Sequence, residues 1–270
     1  MITQEKVWDG GRALIRALIP YVSYILCTSL FLGIGMILRH MQGNREQFLL
    51  ESSNFYLFMG ILFFWWRIFR KQKKTGVSVW EEITLDWHKP NVRLILLCTA
   101  FGAVTALFVS ALITLLPAAA AAPYHAVSTR PAGEGDRFLV LIMLAFLAPL
   151  TEEVIFRGYM LSRLLEYFNE KQALAISSAV FALGHTDPLW ILYTFAFGWI
   201  LGTAALKKDN VLYAVFLHAG FNLPAVLMLA AKTDFRLDES GGGIFLLIML
   251  AAAGFLSGKL LLAEIGKEEG

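Results

Sequence analysis

The chain has 270 residues, of which 57% are hydrophobic and only 16% charged, with a mean hydropathy of +0.62 and 21 phenylalanines. That composition lies outside the soluble globular range and describes a membrane protein with the lipid bilayer as partner and no nucleic acid. The formal net charge of +2 selects no partner, and the two cysteines, Cys27 and Cys98, sit inside apolar runs, which argues against a disulfide framework or a thiolate metal site.

Uncharged runs of about 20 residues, the length that crosses a hydrocarbon core of roughly 30 Å, recur along the chain. The first follows Lys6, Asp9, Arg12 and Arg16. It lacks a small-residue cleavage site behind a short apolar stretch, so it reads as a retained span over 13–38 rather than a signal peptide. Further spans are expected at 54–69, 92–117, 137–165, 172–186, 188–206, 210–231 and 243–263, the second and fifth being short. Turn signals separate them: KQKKTGVSVWEEITLDWHKPN after the second, Asp187-Pro188 after the fifth, KKDN after the sixth and RLDESGGG after the seventh. No internal repeat and no second domain is visible. The expectation is one all-α integral membrane domain over 1–270, a polytopic bundle of about eight helices around a central polar cavity.

Basic residues are retained on the cytoplasmic side of a membrane. With the N-terminus inside, sixteen of the 23 Lys and Arg fall in cytoplasmic segments and six outside, while Arg157 remains within a span. The asymmetry predicts an even number of spans with both termini in the cytoplasm. The cluster from Arg67 to Lys74 reads as a positive-inside anchor, with anionic headgroup binding as the alternative.

Ionisable residues inside spans are costly and mark cavities and function. Here they are Glu152, Glu153 and Arg157 on the fourth span, His185 on the fifth, and His218 on the seventh, with Asn222 one turn beyond it. Glu153 and Arg157 are spaced i and i+4 with the acid first, the favourable order for an ion pair. Glu152 lies about 100° round the helix and is free to point elsewhere. His218 with Asn222, and Phe181 with His185, repeat the i and i+4 spacing, so each of three helices carries a polar or aromatic pair on one stripe. At about 1.5 Å per residue all these groups fall within a band roughly 12 Å thick, where one cavity can hold them. Pro149 removes a backbone hydrogen bond just before the carboxylates and predicts a kink there. In a rival reading Pro149 ends one helix and Thr151 caps the next, which leaves Arg157 unexplained.

The segments EEVIFR, FALGH and HAGFN resemble, in that order, the EExxxR, FxxxH and HxxxN signature of the CAAX-protease and bacteriocin-processing family of intramembrane glutamate endopeptidases, to which the Ras-converting CAAX endopeptidases belong. The resemblance covers about 137–231, which would be the catalytic core. It implies an eight-helix membrane fold, in a prokaryote's inner membrane. It also implies an endopeptidase cutting a membrane-associated protein or peptide near its anchored end, at a CAAX-type terminus or a bacterial peptide or sorting signal. By the same resemblance Glu152 would be the general base, with His185 helping to hold the water. His218 and Asn222 would then donate to the oxyanion, Glu153 and Arg157 would form a buried pair, and Phe181 would contact substrate.

Peptide hydrolysis needs a water deprotonated, an oxyanion stabilised and an amine protonated, and no G-x-S-x-G, H-E-x-x-H or Cys-based signature is present to do this otherwise. No cofactor is needed on that reading, although Glu152, His185 and His218 also make an acceptable three-ligand zinc set. Two other classes stay open: a non-catalytic scaffold or immunity protein of the same fold, and a proton-coupled transporter, against which no inverted repeat is seen. Small residues at Gly198 and Gly202 point to helix packing within the fold. Reporter fusions after Lys74 and Lys208 should report cytoplasm, and fusions near Gly135 and Ser240 the opposite side; the reverse pattern would overturn the assigned topology.

Overall fold

The computed structural model describes residues 4–41, 53–83, 91–117, 121–122, 137–231 and 241–266, and among them every regular element is helical. Helix α1 (Gln4–Met41) leads to α2 (Ser53–Thr75), the single turn α3 (Val79–Glu82) and α4 (Val92–Thr114). The long α5 (Arg137–Leu165) is followed by α6 (Glu170–Leu183), α7 (Pro188–Lys207), α8 (Leu212–Ala231) and α9 (Gly241–Ile265). The chain is the all-α polytopic bundle that its composition predicts. Among the described residues six helices are long and apolar enough to cross a membrane: Gly10–Leu38 within α1, α4, α5, α7, α8, and Leu247–Ile265 within α9. The two further spans expected from the sequence are also helical, as α2 and the 14-residue α6, but they are not among those six. Of the residues that set the expected orientation, Arg45, Lys89, Arg130, Lys232, Arg236 and Lys267 lie outside the described residues, as do Gly135 and Ser240.

The starts of the helices follow from their capping residues. Asn91 Oδ1 accepts the Leu94 amide at 3.0 Å and opens α4. Asn169 and Gln172 form a reciprocal capping box at α6. Asp187 accepts the amides of Leu189 and Trp190, so the Asp-Pro turn read in the sequence starts α7 with Pro188 in its first turn.

Helix α5 is the centre of the bundle, in contact with α1, α6, α7 and α8. It runs through Pro149 without ending, which removes the reading in which a second helix begins there. Instead its winding widens to i→i+5 over Met143–Leu147 and again over Val154–Leu161, with ordinary α-turns between and after. Thr151 is no cap: its hydroxyl donates to the Leu147 carbonyl at 2.6 Å and accepts the Trp65 indole N–H at 2.9 Å. All eight residues of Val154–Leu161 are buried.

The helices close on one another through glycine. Where α4 crosses α8, a Cβ on Gly102 would fall on the Leu217 carbonyl and 2.7 Å from the Phe221 amide nitrogen, and one on Gly220 would fall on the Thr99 backbone. Only hydrogen fits at this backbone-to-backbone contact. On the outer side Ile15, Ile19, Leu26, Leu96, Phe255 and Leu256 stay exposed, an apolar surface suited to lipid rather than water. Replacing either Gly102 or Gly220 by Val should cost about 1–3 kcal/mol through overpacking, read as a lowered melting temperature in detergent, whereas Gly33→Val, which meets nothing within 4 Å, should not.

Candidate active site

Four helices bring the polar residues together inside the bundle. Glu153, with 0% of its side chain exposed, accepts Arg157 Nη1 at 2.9 Å on Oε1. This is the i and i+4 ion pair expected from the sequence. Arg157, 1% exposed, spends Nη2 on the Gly198 carbonyl of α7 at 2.8 Å and lays its guanidinium over the Phe181 ring of α6, 4.7 Å from the centroid. The same Oε1 lies 2.7 Å from Nδ1 of His218 on α8. An ionised carboxylate only accepts, so Nδ1 carries the proton and Nε2 is turned to the other side of the ring. Glu153 Oε2 is buried with no hydrogen-bond partner.

Glu152 points elsewhere. Its Oε2 lies 3.9 Å from His218 Nε2 and 27% of its side chain stays open. That gap is too long for a hydrogen bond and admits one oxygen atom at about 2.8 Å from each group. The two neighbouring glutamates therefore differ in kind: one is sealed in charge-assisted bonds, the other can be reached.

The remaining predicted residues take other positions. His185 Nδ1 is 3.3 Å from the Ala182 carbonyl, and the ring packs on Phe181 and Trp190 without an ion pair to either glutamate. Asn222 Nδ2 donates to the Leu144 carbonyl at 3.0 Å, on the widened turn of α5 rather than in the gap beside Glu152. Phe181 is 3% exposed, with its ring edge-to-face with Phe156, His185 and His218, so it is a packing centre for both histidines. Among the described residues no three His, Cys, Asp or Glu side chains gather as a metal-binding group. With His185 turned to Ala182, the zinc set of Glu152, His185 and His218 is not assembled in this arrangement.

Several contributors have no motif signal. Ser177 of α6 donates to the Phe156 carbonyl at 3.0 Å, and Trp65 of α2 holds Thr151. Gly198 is legible as the first member of a small-residue pair; a Cβ there would come 3.2 Å from Arg157 Nη2, Phe181 and Ser178, while one on Gly202 would strike Leu174 of α6 at 2.5 Å.

Fold and site define a polytopic helical membrane protein with two glutamates, an arginine and a histidine gathered within the bundle. Residues 134–224, about a third of the chain, match the family model described as type II CAAX prenyl endopeptidase Rce1-like. The match includes Glu152, Glu153, Arg157, His185, His218 and Asn222. The chain is also 33% identical over 82 residues to UPF0177 protein YxdF of Lactococcus lactis subsp. lactis (strain IL1403), across 30% of this chain and 45% of that protein, so the matched part spans less than half of the relative. No solved structure matches.

Changing Glu153 or Arg157 singly to Ala should cost stability on the order of 3–5 kcal/mol, because each leaves an uncompensated buried charge. The double change should cost less than the sum; an additive cycle in detergent unfolding would show the two side chains to be independent.

Proposed function

We propose that the protein is an intramembrane endopeptidase, hydrolysing a peptide bond near the membrane-anchored end of a protein or peptide substrate. The observation that supports this best is the unequal environment of the two glutamates. A sealed Glu153 fixes His218 through Nδ1, and an open Glu152 faces His218 Nε2. Environments that set two carboxyl groups apart assign them different roles.

In this reading Glu152 takes a proton from water as the water oxygen attacks the scissile carbonyl carbon. The electron pair of the C=O bond moves to oxygen, and the resulting oxyanion accepts a hydrogen bond from Nε2–H of a doubly protonated His218, whose Nδ1–H is held by Glu153. Collapse of the intermediate breaks the C–N bond, and the proton on Glu152 passes to the leaving amine. Glu153 and Arg157 hold the imidazole in orientation, as a carboxylate behind a catalytic histidine does. The carbonyl of Gly198 and the face of Phe181 hold Arg157. None of these steps requires a metal.

Mass-spectrometric comparison of membrane and secreted peptides from cells with and without the protein should reveal a peptide terminus that depends on it. Glu152→Gln, which keeps the size and cannot accept the proton, should reduce formation of that terminus about 10²-fold or more with the protein still folded. Full cleavage by this variant would remove Glu152 as the base. A deletion phenotype that Glu152→Gln, His185→Ala and Asn222→Ala all complement, with no dependent terminus, would favour the scaffold reading. Cleavage abolished by a chelator and restored by Zn²⁺ would replace the glutamate-only mechanism with a metal one.

A further inference from the structure

Helix α1 lies outside the three motifs, yet its inward stripe carries Ala17, Tyr21, Tyr24 and Thr28 at i, i+4, i+7 and i+11, with Tyr24 and Thr28 against α2 and Tyr21 turned to α5. The Tyr21 ring packs 5.2 Å from that of Phe156, which in turn meets Phe181 at 5.1 Å, so it extends the aromatic group that holds the histidines. Its hydroxyl comes to 3.2 Å from the position a Cβ would take on Gly184, the residue directly before His185. It donates no hydrogen bond among the described residues, and the Phe156 ring it packs on lies four residues beyond Glu152 on α5. A phenol with an unspent donor thus lies beside the chain at His185 and against the stretch of α5 that carries the open carboxylate.

We propose that Tyr21 belongs to the reaction site, its hydroxyl holding the attacking water beside Glu152 on the side that leads to His185. The inference rests on the endopeptidase reading above. Three groups around one water fix the direction of its lone pair, which a single carboxylate does not, and a phenol does so without adding a charge to a low-dielectric cavity. Gly184 belongs to the same device, since a side chain there would press on the hydroxyl.

The test follows the protein-dependent peptide terminus in membranes from cells producing full-length variants, with the endogenous membrane peptides as the probe and Glu152→Gln run in parallel. Tyr21→Phe keeps the ring against Phe156 and removes only the oxygen. It should slow formation of the terminus about 10- to 100-fold, the loss of a hydrogen bond to a charged site, with uncleaved peptide still co-purifying with the enzyme. Gly184→Ala should also slow cleavage, and Tyr21→Phe/Gly184→Ala should lose less than the two single changes together, because without the oxygen the methyl group presses only on the Phe181 carbonyl at 3.2 Å. A merely structural role for Tyr21 predicts additive losses that follow the melting temperature. Wild-type rates in Tyr21→Phe while Glu152→Gln is inactive, or additivity with Gly184→Ala, overturn the role of Tyr21 alone. No dependent terminus in wild type, or full cleavage by Glu152→Gln, overturns the endopeptidase reading and this inference with it.

Discussion

The ion pair between Glu153 and Arg157 is the constraint that the rest of the site serves. Two charges removed from water cost several kcal/mol each even after relaxation, and their mutual attraction repays this only with good geometry and with the remaining donors satisfied. The bundle supplies the geometry and partners for two guanidinium nitrogens, while one carboxylate oxygen, Glu153 Oε2, stays without a hydrogen bond. One guanidinium nitrogen faces the carboxylate at 2.9 Å, another the Gly198 carbonyl at 2.8 Å, and the flat face rests on Phe181. Each support constrains a different helix. Residue 198 must lack a side chain, Phe181 must stay covered, and His218 must bring its own N–H to the shared oxygen. The position of the imidazole is thus a consequence of neutralising an arginine.

The widened winding of α5 imposes the second constraint. In an i→i+5 turn the partner of the Leu144 carbonyl would be residue 149, a proline with no N–H. The carbonyl would be left unsatisfied in a bundle that has no solvent to offer, and Asn222 of α8 supplies the donor instead. Leu147 and Phe156 give their carbonyls to the hydroxyls of Thr151 and Ser177 in the same way. A polar residue at membrane depth has two claims on it, chemistry and backbone satisfaction, and in Asn222 at least one amide hydrogen serves the second.

This explains what could be read from the sequence. Within one helix, spacing is geometry: the i and i+4 pairs placed Glu153 with Arg157, Phe181 with His185, and His218 one turn from Asn222, and the charge content of the spans marked α5 as the element that matters. Between helices spacing says nothing. That His218 would select Glu153, that His185 would turn to Ala182, and that Phe181 would be walled in by aromatic rings depend on how closely α4 and α8, or α6 and α7, approach. Those distances are set by glycines such as Gly102, Gly220 and Gly202. The motifs carry no information about α1, because a tyrosine in an apolar helix looks like any amphipathic residue at a membrane. Of the two spans expected to be short, α6 is so at 14 residues, whereas α2 runs to 23 and is set apart by its polar start and by Arg67, Arg70 and the basic residues that follow.

The charges of the site also bear on how a proton can move within it. Glu153 and Arg157 cancel, and each is locked to the other, so neither can change its charge without leaving its partner buried and unpaired. Glu152 and His218 are coupled more loosely, 3.9 Å apart and on the open side. If the imidazole is protonated while Glu152 is ionised, the four groups together are neutral. In the proposed reaction a proton taken from water by Glu152 would then be matched by the negative charge developing on the attacked carbonyl oxygen beside Nε2–H, so the total charge inside the low-dielectric cavity would stay constant through the step. The reacting charge is transferred by a few ångströms between groups already facing one another, and the sealed pair beneath them does not have to reorganise. A site built this way separates the glutamate that can be reached from the glutamate that is locked, although the two are adjacent in sequence and differ only in the side of the helix they occupy.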